Sequence, residues 1–469
     1  MKYLKMSLEY ILDFILMLCF SGVIWSNSYY GHTTGDEKFF HLFVPLNGIS
    51  AENYFGAFFY AILPALILAT IIFIVRRRKF SKKIYFILIP ISIIFAIYDL
   101  DLIPYISNNI KTSKFIEENY VVVDEDKITF TEKKNLIYIY LESMENTYSS
   151  REHGGFQEDN LIPNLTKLAE ENTSFSNTDK LGGAMYMEAY NFTVASMLSQ
   201  TAGIPLKINY SKKGFPDFNN FYSGIALGDI LYDNGYDNYI IMGSNSLYGA
   251  RKYLFEKHHY NVSDVETAIK EGKMSRDDIV WWGYSDRDLF KYAKEDLEEI
   301  SKSDKPFNYT MLTADTHFQD GYLEDDCKTK YDDQYMSVIN CSDKMIIDFI
   351  DWLKKQDFYD NTVVILVGDH ITMDQGYTRT VDKNYVRTTY NTFLNVKDSG
   401  NTKNRKFTQL DMFPTTISAI GGKIEGNRLA LGTNLFSSEK TLVEKYGYKY
   451  VRDQLNKRSE FYDTFLAHK

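Results

Sequence analysis

Apolar residues crowd the first hundred or so positions of the chain and give way afterwards to an alternating pattern. Three long apolar runs stand there, Ile11 to Trp25, Ala57 to Val75, and Ile84 to about Ile106. A helix that crosses the hydrocarbon of a bilayer needs about 20 mostly apolar residues. The second run meets this outright. The first is shorter and carries Asp13 near its start, and the third carries Asp99 and Asp101 near its end. Each is expected to span, which makes residues 1–106 a membrane anchor of three transmembrane helices. A cleaved signal peptide is the alternative for the first run. The lack of a small-residue cleavage site and the apolar runs behind it argue against that.

Positive charge gives the orientation. Arg76, Arg77, Arg78, Lys79, Lys82 and Lys83 fill the short segment between the second and third runs, and Lys2 and Lys5 precede the first. Cationic loops stay in the cytoplasm. The chain is therefore expected to cross a membrane several times. Residues 27–56 and everything after about residue 107 would then lie on the outer side.

Beyond the anchor, residues 107–133 are polar and mixed and read as a stalk. Short β-branched or aromatic runs then alternate with helical patterns. Asn135–Leu141, Tyr239–Met242, Tyr309–Thr313 and Thr362–Val367 have strand length and continuous apolar character. Pro163–Asn172, Asp286–Ile300 and Lys344–Lys355 have helical spacing. This alternation predicts an α/β domain over residues 134–440, a mostly parallel sheet with helices on both faces. Residues 441–469 are expected to form a helical tail packed on its outside.

Composition narrows the function. A net charge of -10 and a pI near 5.4 disfavour a nucleic-acid partner, which usually needs a basic face. The 37 Tyr and 32 Phe suit carbohydrate or lipid-headgroup contacts as well as ordinary packing. Of the three cysteines, Cys19 falls in the first apolar run; Cys327 and Cys341 are near each other in the polar part, as two free thiols or as a disulfide. A disulfide would require an oxidising compartment.

Ligands of an open α/β sheet bind beyond the carboxyl ends of its strands, so the residues delivered there matter most. The first strand delivers Glu142, the third Asp315 and His317, and the fourth Asp369 and His370. Singly, such residues are usually solvated loop positions. Together, two carboxylates and an imidazole offer mixed oxygen and nitrogen ligands for Mn2+, Zn2+ or Mg2+. The segment Asn191-Phe192-Thr193-Val194-Ala195-Ser196-Met197 follows the glycine-containing turn Leu181–Ala184 and reads as a turn entering a helix. Thr193 would sit in its first turn, where backbone N–H groups favour an anion. Its hydroxyl is either a helix cap or a nucleophile that a metal would have to activate.

Five ordered blocks carry a resemblance. NLIYIYLESMENTY (135–148), NFTVASMLSQTAGIPL (191–206), LTADTHFQDGY (312–322), VVILVGDHITM (363–373) and LDMFPTTISAIGGKIEGNRLALGTNLF (410–436) resemble the phosphoglycerol transferases that decorate periplasmic glucans, relatives of lipoteichoic acid synthase. The resemblance implies a sulfatase/alkaline-phosphatase-like α/β/α sandwich and a phospho-threonine intermediate. It implies one divalent ion, Mn2+ first and Zn2+ or Mg2+ as alternatives, held by Glu142, Thr193, Asp369 and His370, with Thr193 also the nucleophile. His317 matches a histidine that binds the phosphoglycerol group or assists proton transfer, and Trp282 and Arg287 fall in a block placed to contact the phosphate. It also implies the Cys327–Cys341 disulfide, and a bacterial inner (cytoplasmic) membrane as the one the chain crosses.

Two departures stand out. The family's membrane part commonly has four or five helices, against three runs here. Thr193 is followed by Val-Ala-Ser-Met rather than the Cys/Ser-x-Pro-x-Arg of true sulfatases, and a threonine cannot become formylglycine. The expected activity is transfer of a phosphoglycerol headgroup from phosphatidylglycerol to a glycan or glycerol-type acceptor. Phosphoethanolamine transfer, phosphodiester hydrolysis and a non-catalytic envelope scaffold are the rivals.

Overall fold

A computed structural model of the chain describes residues 2–31, 33–44, 51–78, 85–207, 222–397 and 400–466. The chain divides into two units, Met1–Leu42 with Ile49–Ile110, and Phe43–Gly48 with Lys111–Lys469.

The first unit is helical. Helix α1 (Lys2–Tyr29) extends the first apolar run at both ends. Its 28 residues give a length of about 42 Å at 1.5 Å per residue. The stretch Tyr54–Arg77 overlaps helix α2 (Leu63–Arg78), and it and Tyr3–Tyr29 are long and apolar enough to cross a membrane. The third run is two helices, α3 (Tyr85–Asp99) and α4 (Leu102–Ile110), meeting at 61°. The break falls at Asp101, whose φ of +50° is left-handed and cannot continue a helix. Asp13 is buried, and its carboxylate lies 3.3 Å from the Arg76 guanidinium, which also lies 3.4 Å from Glu9. A paired acid is the form in which an apolar helix tolerates a charge. Lys79, Lys82 and Lys83 lie outside the described residues.

The second unit is built on a six-stranded sheet. Its strands are β1 (Asn135–Leu141), β2 (Asp237–Met242), β3 (Tyr260–Ser263), β4 (Phe307–Leu312), β5 (Thr362–Gly368) and β6 (Asn391–Leu394), in the order β3-β2-β4-β1-β5-β6. Only β6 runs antiparallel to its neighbour. Every residue of β1, β4 and β5 is buried, as parallel strands covered on both faces require.

Ile137, Ile139 and Leu141 point to one face, where they join the core formed with helices α5 (Pro163–Glu171), α7 (Asp286–Ile300) and α8 (Gln334–Leu353). Tyr138 points to the other and donates to Gln200 at 2.7 Å, on helix α6 (Thr193–Ala202). Helix α8 starts ten residues before the expected Lys344 because Asp333 caps it, accepting from the Met336 N–H. Its first half also buries Asn340 and Asp343, and the Asp343 carboxylate accepts the Asn164 and Leu165 N–H groups that open α5.

Residues 111–133 run along this second unit. Thr112 bridges to Arg458 and Val121 to Ala430, and Ile128–Phe130 pairs antiparallel with Gly422–Ile424. Cys327 and Cys341 are joined in a disulfide, with Cα atoms 6.1 Å apart.

Candidate active site

Strand register brings the ligand-type residues together. Leu141 pairs with Gly368, so the next residues, Glu142 and Asp369, leave adjacent parallel strands side by side. A Cβ on Gly368 would lie 1.9 Å from the Met144 carbonyl oxygen, so only glycine permits this close approach. Ser143 takes a left-handed φ of +53°. Its N–H and that of His370 both donate to Asp369 Oδ1 at 2.8 Å.

The remaining atoms face one another. His370 Nε2 lies 3.5 Å from Glu142 Oε1 and 3.4 Å from Asp369 Oδ2. One ligand atom from each of the three residues falls within 4.8 Å of the others, and all three residues are buried. His370 Nδ1 sits 3.0 Å from the Ile371 carbonyl, an acceptor only, so Nδ1 carries the hydrogen and Nε2 turns a lone pair toward the acids. Asp369 Oδ2 is buried with no hydrogen-bond partner among the described residues. Burial, and then the Glu142 carboxylate, push the Asp369 carboxyl up to about 7. Lone pairs converging in a dry site repel one another unless a cation lies between them. Two carboxylate oxygens and an imidazole nitrogen fit a divalent ion.

Thr193 completes the cluster. Phe192, extended at φ -147°, precedes helix α6, and Thr193 is its first residue. The hydroxyl therefore does not cap the helix. It donates to Glu142 Oε2 at 3.4 Å and lies 3.5 Å from His370 Nε2. The positive end of a ten-residue helix thus coincides with the hydroxyl.

His317 occupies a second edge of the site. Its ring lies 4.9 Å from that of Trp282, and its Nδ1 is 2.6 Å from the Phe318 carbonyl. Burial pulls its pKa down to about 4, so the ring is neutral at pH 7 with Nε2 left as an acceptor. The Trp282 Nε1–H is buried without a hydrogen-bond partner among the described residues. The loop carrying His317 is held from two sides. Asp286 accepts the Ala314 and Asp315 N–H groups at 2.7 and 3.1 Å, and Tyr335 donates to the Thr316 carbonyl at 2.9 Å. Arg287 is not brought to this cluster: it is half-exposed and pairs with Asp326 and Glu324.

The sequence reading missed Arg251. Its guanidinium is buried, held by the carbonyls of Tyr248 at 3.0 Å and Asn245 at 2.8 Å, and it interacts electrostatically with Glu142 and Asp369. Burial lowers its pKa, and the acids partly restore it. Nothing in GARKYLF marked this arginine, since it follows no strand and stands in an amphipathic run. A pocket also opens beside His370, lined by Met185, Tyr186, Tyr190, Asn191 and Gln409. Two acceptors there, Asn191 Oδ1 and Gln409 Oε1, are buried without hydrogen-bond partners among the described residues.

The α/β fold is shared with solved structures: a protein from Vibrio parahaemolyticus described as belonging to the alkaline phosphatase superfamily superposes with a TM-score of 0.52 over 71% of this chain and 81% of its own, at 20% identity. The sulfatase family profile matches residues 134–422, more than half of the chain, and the chain belongs to that family.

Phosphoglycerol transferase I of Escherichia coli O127:H6 is 29% identical over 318 residues, which is 66% of this chain and 39% of that protein. The chain thus spans about two fifths of the length of the curated relatives it matches. The integral-membrane lipooligosaccharide phosphoethanolamine transferase A of Neisseria meningitidis gives a TM-score of 0.54 over 91% of this chain and 87% of its own, at 11% identity. The lipoteichoic acid synthase LtaP of Listeria monocytogenes gives 0.51 over 70% and 82%, at 17% identity. The expected sulfatase-like fold and the resemblance read from the five blocks are borne out.

Proposed function

We propose that the chain is a membrane-anchored, metal-dependent phosphoglycerol transferase whose nucleophile is Thr193. The carrying observation is the Thr193 hydroxyl within 3.5 Å of both Glu142 and His370, at a helix amino end. Glu142, Asp369, His370 and Thr193 would hold one divalent ion, Mn2+ by preference for an oxygen-rich set and Zn2+ or Mg2+ otherwise. Bound there, the ion supplies positive charge that favours the ionised Thr193 hydroxyl and offsets charge on phosphoryl oxygens.

In the first step Thr193 Oγ1 bonds to phosphorus and the bond to the diacylglycerol oxygen breaks, that oxygen leaving with the proton that Thr193 gives up. In the second, an acceptor hydroxyl bonds to phosphorus and displaces Thr193 Oγ1, and the proton that the acceptor loses is returned to Oγ1. His317, neutral with Nε2 as acceptor, is the group suited to take that proton. Arg251 faces the phosphate charge, and the Trp282 Nε1–H offers a donor to the glycerol or phosphate oxygens. Arg287 has a surface role. The same threonine rules out the formylglycine route of sulfate-ester hydrolysis.

The donor is phosphatidylglycerol and the acceptor an envelope glycan or a glycerol-type hydroxyl. The anchor of residues 1–106 crosses a bacterial inner membrane more than once and leaves residues 134–440 on the outer side. There it keeps the site among its lipid donors and raises their effective concentration.

Full chain reconstituted with headgroup-labelled phosphatidylglycerol should release diacylglycerol and pass the label to added glucan. Release only from phosphatidylethanolamine, or label passing only to water, would refute the donor or the transfer. Trp282→Ala should raise KM for the lipid about tenfold with kcat little changed, as expected when a binding donor worth ~1.4 kcal/mol is lost. A fall in kcat alone would contradict that role.

A further inference from the structure

Beyond the apolar helices the chain builds an aromatic, lysine-bearing face that the chemistry above does not use. Helix α4 leaves Ile103, Ile106 and Ile110 71%, 50% and 74% exposed. Their spacing of three and four residues places them on one stripe, the pattern of a helix lying in the interfacial layer of a bilayer. Only residues 111–114 separate that helix from Phe115. Phe115 is where the tail packs: its ring meets those of Tyr446 at 5.5 Å and Tyr450 at 5.9 Å. Ser113 adds two hydrogen bonds of 2.8 Å to the tail, one to the Arg458 carbonyl and one to Gln454.

Tyr446 and Tyr450 remain 47% and 49% exposed. Lys111, Lys114, Lys445 and Lys449 are exposed around them, against Glu117 and Glu118 on the adjoining turn. Glu444 and the exposed Asp453 lie on the same tail helices, so the face is mixed in charge, with its lysines flanking the two tyrosines. Tyrosine rings prefer the headgroup layer, and lysines there are drawn to anionic lipid. The same tail reaches the site. Tyr448 donates to the Tyr186 carbonyl at 2.6 Å, and Arg452 and Asn456 hold Glu188 at 3.8 and 3.4 Å. Glu188–Tyr190 is the turn that leads to Thr193.

We propose that Tyr446, Tyr450 and the surrounding lysines form the surface by which the folded domain rests on an anionic bilayer, with the tail bracing the turn before Thr193. The proposal deepens the functional reading, since it rests on the donor being a bilayer lipid. It accounts for a tail that is buried on one side and left aromatic and lysine-bearing on the other.

Full chain with Cys19→Ser, placed in nanodiscs of mixed phosphatidylglycerol and phosphatidylcholine, would carry a nitroxide at Tyr446→Cys or Tyr450→Cys. Lys354→Cys, at the exposed end of helix α8, is the reference. Labels at 446 and 450 should collide several-fold less often with a water-soluble nickel relaxant than the label at 354. Equal collision rates at all three would overturn the proposal. In turnover, the Lys445→Gln/Lys449→Gln variant should raise the apparent KM for bilayer phosphatidylglycerol several-fold and leave turnover of a monomeric short-chain donor unchanged. Equal effects on both donors would also overturn it. If the unaltered chain transfers from no lipid, the functional reading fails, while the depth measurement still decides the face.

Discussion

Replacing Asp369 by Asn is expected to empty the metal site and stop turnover while leaving the domain folded. Asn keeps one oxygen for the two N–H donors that Asp369 Oδ1 now accepts. Its amide would present an N–H to His370 Nε2, where Asp369 Oδ2 now lies at 3.4 Å. The lost property is therefore one anionic ligand, not a set of contacts. Metal affinity should drop by ~100-fold or more, since changes even in the partners of ligands cost 10–100-fold. Turnover should fall with it. Elemental analysis of the dialysed protein reads the first effect, and thermal unfolding checks that the fold survives. Full metal occupancy in the Asn variant would remove Asp369 from the ligand set.

The second large effect is expected at Thr193. Thr193→Ala removes the hydroxyl but no residue of the Glu142, Asp369 and His370 cluster, so the protein should still bind metal, though more weakly. Helix α6 should persist, because Thr193 does not cap it. Transfer should fall by ~10,000-fold or more, the scale seen when an enzyme loses a nucleophile. Thr193→Ser should restore part of it. Glycerol-label transfer assays on the metal-loaded variants separate this from the Asp369 result, where loss of metal and loss of activity go together. Near-normal transfer by the Ala variant would show that the acceptor attacks the lipid directly.

Much of this was legible because buried parallel strands write their presence as unbroken apolar runs. Asn135–Leu141 and Thr362–Gly368 are seven-residue strands with every position buried, and the residues just past them are the proposed metal ligands. Shorter elements were silent: Tyr260–Ser263 and Asn391–Leu394 hold four residues each and mix polar with apolar positions. Helix α8 was seen only in its second half. Its first half buries Asn340 and Asp343 for hydrogen bonding, which erases the apolar stripe.

Arg251 was missed for a related reason, because a cation next to Lys252 in an amphipathic segment looks like a solvated charge until the fold buries it. The 61° break in the third apolar run depends on the backbone of Asp101, which hydropathy does not register. Arg287 illustrates the converse. It stands beside site residues in sequence, yet at Asp286 the chain turns one acid inward to hold the His317 loop and leaves the neighbouring arginine at the surface.

The most direct measurement is intact and peptide mass spectrometry of metal-loaded full chain quenched during turnover of headgroup-labelled phosphatidylglycerol without acceptor. A glycerophosphoryl group on the peptide containing Thr193, released when glucan is added and missing in Thr193→Ala, is the predicted result. Label on any other residue, or turnover with no adduct at all, would contradict the account.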